Sequence, residues 1–173
     1  MDQVYILMLI ALGLLAIVDL MVGVANDAVN FLNSSIGSKA VSFKTIMIVA
    51  SIGVAVGALF SSGMMEIARS GIFTPSMFSF NEVMVIFLAV MITDVLLLDL
   101  FNTMGLPTST TVSIIFSLLG ASVFIALYKI LIAGEDLVTI EQYINTKKAS
   151  EIVYSIFLSV LLSFTLGSIV QYI

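Results

Sequence analysis

Apolar residues fill long runs in this chain, and the polar residues gather in the gaps between them. Val4 to Val22 is nearly unbroken hydrocarbon with a single acid, Asp19. Further runs follow at Lys44 to Phe60, Val83 to Leu100, Thr111 to Leu131 and Ile152 to Ile173. A helix covers the hydrocarbon core of a bilayer with about 20 apolar residues. The pattern therefore predicts an all-α, polytopic membrane protein with about five transmembrane helices. Gly53 and Gly57 have the four-residue spacing that lets helix backbones approach, and are read as packing against another helix of the same protomer.

The gaps carry the polar groups. Ala25 to Ser38 is too polar to span and too long for a tight turn, which predicts a broken or re-entrant helix lining a cavity, where irregular backbone can be satisfied. Ser61 to Asn81 contains Glu66, Arg69, Gly71 and Pro75 and reads as a short amphipathic helix with a loop. Glu66 and Arg69 have the i,i+3 spacing of a surface pair; substrate gating is the alternative role for Glu66. Gly134 to Lys148 is the most charged connection and is expected in water. Within the third run, Asp94 and Asp99 are five residues apart, about 140° around a helix, so they do not share a face. Asp99 belongs at the membrane edge. Asp94 lies deeper and is a candidate for coupling or gating, as intramembrane acids generally are; Asp19 is a similar case.

Composition agrees with the pattern. The 173 residues are 61% hydrophobic and 10% charged, with a mean hydropathy of +1.24, whereas about a quarter charged is usual in soluble domains. The net charge of −5 and the scattered Lys and Arg leave no basic stripe for phosphodiesters, so nucleic acid is excluded as a partner. With no Cys and no His, thiolate and imidazole chemistry is absent. No enzyme and no cofactor are expected. Met-Asp-Gln before the first run lacks the basic n-region of a secretory signal, so the first helix is read as retained in a multi-pass protein of the cell membrane. Lys39 and Lys44 would place the first loop in the cytoplasm. An odd number of crossings leaves the termini on opposite sides.

Two clusters could carry chemistry. The first holds Asn26, Asp27 and Asn30, followed by Ser34, Ser35, Gly37, Ser38 and Lys39. The second, Asn102 to Thr111, leads into the fourth run through Leu106, Pro107, Thr108, Ser109 and Thr110. Pro is favoured at the first position of a helix, so a helix starting near Pro107 would present free N–H groups at Thr108 to Thr111 beside their hydroxyls. Such a helix start suits an anion, although simple capping would use the same residues. Two polar breaks in an apolar chain also mark a transporter site near the bilayer midplane. Asp27 would repel an anion, and neither cluster has an Arg to clamp one. Asn26, Asp27, Asn30 and nearby carbonyls are hard oxygen donors that suit Na⁺, and a proton on Asp27 could substitute. Co-bound cations would then neutralise the anion.

The clusters resemble those of the inorganic phosphate transporter (PiT) family. Its G-A-N-D-V-A-N signature followed by G-S-K is matched by Ala25-Asn26-Asp27-Ala28-Val29-Asn30 and Gly37-Ser38-Lys39. Its L-P-V-S-T-T-H entry to a helix is matched by Leu106 to Val112, with Val112 in place of the histidine. Glu66 to Ile72 echoes a third motif, E-T-I-R-K-G-I. The resemblance implies uptake of phosphate coupled to Na⁺ or H⁺ by alternating access. It puts Asn26, Asp27 and Asn30 on the cation side, and Ser34, Ser35, Thr108, Ser109, Thr110 and Thr111 on the phosphate side. It also implies two inverted repeats and a homodimer. The signature occurs once here, so residues 1–173 are read as one transmembrane domain, the first of two repeats, completed by a second repeat or by a second copy of the chain. The former is favoured, because an antiparallel pair needs a balanced Lys/Arg bias. The rival readings are a sulfate or other tetrahedral-oxyanion permease of the same fold, and a non-transporting membrane scaffold whose polar groups only join helices.

Overall fold

The computed structural model describes residues 3–62, 66 and 71–172. It is helical apart from connections, and the only strand-like feature among the described residues is an isolated antiparallel bridge between Phe73 and Ile144. The first apolar run and the polar segment after it form one helix, α1 (Gln3–Ser38), of 36 residues. The break expected at Ala25 to Ser38 does not occur. No proline interrupts the segment, and Asn and Asp side chains that could compete for their own backbone instead find partners on a neighbouring element, as described below. The helix ends at Ser38, where Lys39 turns left-handed with φ of 53°.

Helix α2 (Phe43–Leu59) begins at an N-cap in which the Ser42 hydroxyl accepts from the Thr45 N–H at 3.2 Å. Its 17 residues reach about 25 Å, short of the roughly 30 Å hydrocarbon core. Helix α3 (Phe80–Met104) opens with a full capping box between Ser79 and Glu82 and closes on Gly105 in the left-handed region, a conformation glycine adopts without strain. Helix α4 (Thr110–Ala133) is capped by Ser109. A 3₁₀ turn and the single-turn helix α5 (Ile140–Tyr143) lead to α6 (Thr146–Tyr172). Helices α1, α3, α4 and α6 are long and apolar enough to cross a membrane, so four of the five expected crossings have the full length. Arg69 lies outside the described residues, and with it the expected Glu66–Arg69 pair; Glu66 itself is exposed.

Helix α1 runs parallel to α3, with Tyr5 and Phe80 stacked edge-on at 5.3 Å at one end and Asn102 donating to the Val22 carbonyl near the other. Helices α3 and α4 form an antiparallel hairpin. Ile86, Val90, Leu118 and Ile130 are buried between them and the segments carrying Phe73 and Ile144. The connection from Gly134 to Lys148 keeps its charged residues exposed, while its Tyr143 and Ile144 fold under the bundle: the Thr74 N–H donates to the Tyr143 carbonyl at 2.8 Å and the Asn145 N–H to Ile72 at 2.9 Å. The apolar side chains of Tyr143 and Ile144 are the physical reason, since both are buried there. Elsewhere α1, α2 and α6 turn Leu, Ile, Val and Phe outward, a surface that suits lipid and would be unusual in water. Gly53 and Gly57 meet nothing within 4 Å, so the helix packing expected of them is not made within this chain. Gly23 does meet a neighbour: an added Cβ there would lie 3.6 Å from the Thr110 methyl.

One charge anchors the open end of the hairpin, away from the turn between α3 and α4. Lys129 Nζ donates to the Met77 carbonyl at 2.9 Å and to Glu82 Oε2 at 3.0 Å, and lies 5.6 Å from the ring centres of both Phe78 and Tyr143. Lys129→Met keeps the apolar stem and removes these contacts. The substitution should destabilise the protein by about 2 kcal/mol, from a charged hydrogen bond and a partly desolvated cation–π contact; thermal unfolding in detergent measures it.

Candidate functional site

The two polar clusters, some eighty residues apart in sequence, meet where α3 ends and α4 begins. Residues 26 and 30 are four apart on α1, so both side chains project from one face. Asn26 Nδ2 donates to the Thr108 carbonyl at 3.0 Å, and Asn30 Nδ2 donates to the same oxygen at 2.8 Å. Asp27, one residue round the helix, accepts from the Thr110 hydroxyl at 3.4 Å. Asn102 closes the arrangement from α3 by donating to the Val22 carbonyl at 3.3 Å. Asn26 is 2% exposed, so its amide is committed to this contact; Asp27 is half-buried and Asn30 exposed.

The helix start differs in detail from the expectation. Helix α4 begins at Thr110, two residues after Thr108 and three after Pro107. Ser109 is the N-cap, and its hydroxyl accepts from the Val112 N–H at 3.4 Å, so capping uses one of the proposed ligand hydroxyls. The reason is the Thr108 carbonyl, which both asparagines hold outside the helix. The N–H groups of Thr110 and Thr111 precede the first backbone bond of the helix, made from Ser113 to the Ser109 carbonyl, and remain available, with Thr110 beside the Asp27 carboxylate.

Ser34 and Ser35 part company. Ser34 lines an open groove of about 630 Å³ with Asn30, Asn33, Asn102 and Pro107, next to the cluster. Ser35, rotated by about 100°, lines a separate cavity against α2 with Thr45 and Ile46. Thr111 is exposed at the helix start. Asp99 is exposed, as its spacing implied, and Asp94 is 1% exposed. The Ser113 hydroxyl donates to Asp94 Oδ1. Asp94 thus lies deeper along α3 than the cluster and takes no part in it.

The sequence reading did not single out Asn33 or Ser113, and Asn102 only as the first residue of its cluster. Asn33 could have been found, because it lies three residues from Asn30 and seven from Asn26 and so shares their helix face. Asn102 is separated from its acceptor by 80 residues, and nothing local marks the contact.

The cluster presents a carboxylate, amide oxygens left free by the two asparagine donors, hydroxyls and unpaired N–H groups. No lysine or arginine pairs with Asp27 among the described residues. The family model of the phosphate transporter family matches residues 23–173, which takes in both clusters, the hairpin and the last helix. The chain belongs to the phosphate transporter family. Among curated proteins and solved structures, none matches it. Membership agrees with the resemblance carried by residues 26–30, 37–39 and 106–112, and with a multi-pass helical membrane protein.

For this family member the two asparagines are unequal. Asn26→Leu removes a buried donor and leaves the Thr108 carbonyl with one amide, so it should cost about 1–3 kcal/mol. Asn30→Leu, at an exposed position, should cost less than half as much. Unfolding of the two variants in detergent, compared side by side, tests that order.

Proposed function

We propose that this chain is one half of a secondary active transporter that carries inorganic phosphate together with Na⁺ by alternating access. The observation that carries the reading is the convergence of the two polar clusters around Thr108 in a chain of the phosphate transporter family. Asn26, Asp27 and Asn30 supply the cation side: a half-buried carboxylate with amide oxygens around it is a hard-donor set suited to a small monovalent ion. Thr108, Ser109, Thr110 and Thr111 supply the phosphate side, chiefly through the free N–H groups and hydroxyl at the start of α4, where the helix dipole favours negative charge. Ser34 reaches the same groove from α1. Ser35 faces away from that groove and is best assigned to packing against α2.

The charge balance gives the coupling. Phosphate beside an unpaired Asp27 is repelled, by an amount that grows as water is excluded. Sodium ions at Asp27 reverse the sign, so phosphate binds well only when the cation is present. Glu66 and Asp94 are further coupling or gating candidates, Asp94 by virtue of its burial. The exposed side of Asn30 and the outward apolar faces of α1 and α2 call for a second inverted repeat or a second copy of the chain to complete the cavity. Such an assembly forms a homodimer in the cell membrane. No covalent chemistry is required of these residues.

Uptake of labelled phosphate into membrane vesicles from cells expressing the protein tests the reading. An inward Na⁺ gradient should stimulate uptake, and Asp27→Asn should reduce that stimulation by about tenfold, the effect of losing about 1.4 kcal/mol of cation binding. Uptake that ignores both Na⁺ and Asp27→Asn removes the coupled mechanism. Equal competition by sulfate would transfer the assignment to tetrahedral oxyanions generally.

A further inference from the structure

A second polar centre lies deeper in the bundle, and its two acids come from different helices. Asp94 stands near the middle of α3, 1% exposed. Across the α1–α3 interface stands Asp19, one turn before Gly23, which faces Leu98, one turn after Asp94, so the parallel register sets the two carboxyls side by side. The Ser113 hydroxyl of α4 donates to Asp94 Oδ1. This leaves Asp94 Oδ2 and Asp19 Oδ1 buried with no hydrogen-bond donor. Two orphaned carboxyl oxygens in an apolar interior are costly, and the arrangement calls for a ligand that repairs both.

Among the described residues, the surrounding charges do not supply one. Helices α1 and α3 contain no Lys or Arg. The only basic residue of α4 is Lys129, held by Glu82 at the far end of the hairpin. The acids nearest along the helices are Asp27, eight residues or about 12 Å farther along α1, and Asp99, which is exposed on α3. Helix α2 packs on α1 beyond this level, and its one charged residue, Lys44, stands at its start near Ser35. Two ionised carboxyls would therefore face each other uncompensated.

A single proton resolves the arrangement. With one carboxyl neutral, its O–H donates to the other, and the pair carries one negative charge shared over neighbouring oxygens; close carboxyls hold a proton in this way. A sodium ion is the other ligand that would repair both oxygens, and the Na⁺ arm of the test below separates the two. We propose that Asp19 and Asp94, with Ser113 orienting Asp94, form an intramembrane proton site. Resting on the phosphate-transport reading above, we further assign to this site a proton that moves with the substrate. The pair lies about two helical turns from Asp27 on the same helix, so a tilt or slide of α1 against α3 that reshapes the phosphate site also separates the carboxyls and releases the proton. The reaction is a transfer between carboxyl and water, with no bond to any other group.

Infrared difference spectroscopy on the protein in lipid tests the site without reference to transport. The carbonyl stretch of a protonated carboxylic acid should persist at neutral pH, where free aspartates are ionised, and should vanish in both Asp19→Asn and Asp94→Asn. Asp19→Asn keeps a donor to Asp94 and should retain the helical circular dichroism; Asp19→Glu, which keeps the proton, should shift the band without removing it. Absence of the band at neutral pH, or its bleaching by Na⁺ at constant pH, overturns the proton site. Phosphate uptake measured against external pH tests the coupling: its pH dependence should flatten in Asp19→Asn while the dependence on Na⁺ is kept. An unchanged pH profile in a variant that has lost the band overturns the coupling role and leaves the proton site standing. A failure of phosphate uptake in the unsubstituted protein would count against the transport reading and would leave the infrared result to decide the site.

Discussion

The carbonyl of Thr108 accepts two side-chain amides from one helix, and the polar architecture of the chain depends on that double contact. Asn26 and Asn30 lie one turn apart on α1, so the oxygen is gripped along the helix axis and not merely touched. A buried amide without a partner would cost more than the bond itself contributes. The grip therefore fixes α1 against the turn between α3 and α4. It also holds residue 108 outside helical geometry, which moves the start of α4 to Thr110 and commits the Ser109 hydroxyl to capping. Asp27 is carried to Thr110 by the same geometry, because it follows Asn26 by one residue.

Around that contact the packing is unequally distributed. Helices α3 and α4, with the segments under them, hold nearly all the buried apolar side chains. Helices α2 and α6 present theirs outward almost along their whole length. Lipid tails are as apolar as leucine, so these outward faces gain little by packing on one another. The polar contacts are what tie α1 to the hairpin at the cluster: an amide pair on a carbonyl, a hydroxyl on a carboxylate and Asn102 on the Val22 carbonyl.

The sequence made much of this legible. Apolar runs located the helices because bilayer thickness imposes a length on them, and the rarity of polar groups in such runs exposed both clusters. The family of the chain was readable from the same residues. What stayed hidden was decided by tertiary partners. The polarity of residues 25–38 argued for a break, yet those side chains are satisfied across an interface 80 residues distant in sequence, and the backbone continues as a helix. Ser34 and Ser35 looked alike as neighbours, though the helical rotation between them sends one to the groove and the other towards α2. Asp19 and Asp94 each stood out alone; their meeting depends on the parallel register of α1 and α3, which no local pattern encodes. Tyr143 and Ile144 were lost in a charged connection whose polar residues mask two apolar anchors.

The unbroken length of α1 has a mechanical implication. Its 36 residues extend about 54 Å, well beyond a hydrocarbon core of about 30 Å, and a tilt within the usual range of up to about 40° does not absorb the excess. The excess must emerge at one end or both, and the polar side chains of the last third, from Asn26 onward, suit lipid headgroups or a water-filled vestibule. A rigid rod that starts in oil and finishes in water is a lever. Displacement of the end that carries Asn26, Asp27 and Asn30 moves the stretch of the same rod around Asp19 with it.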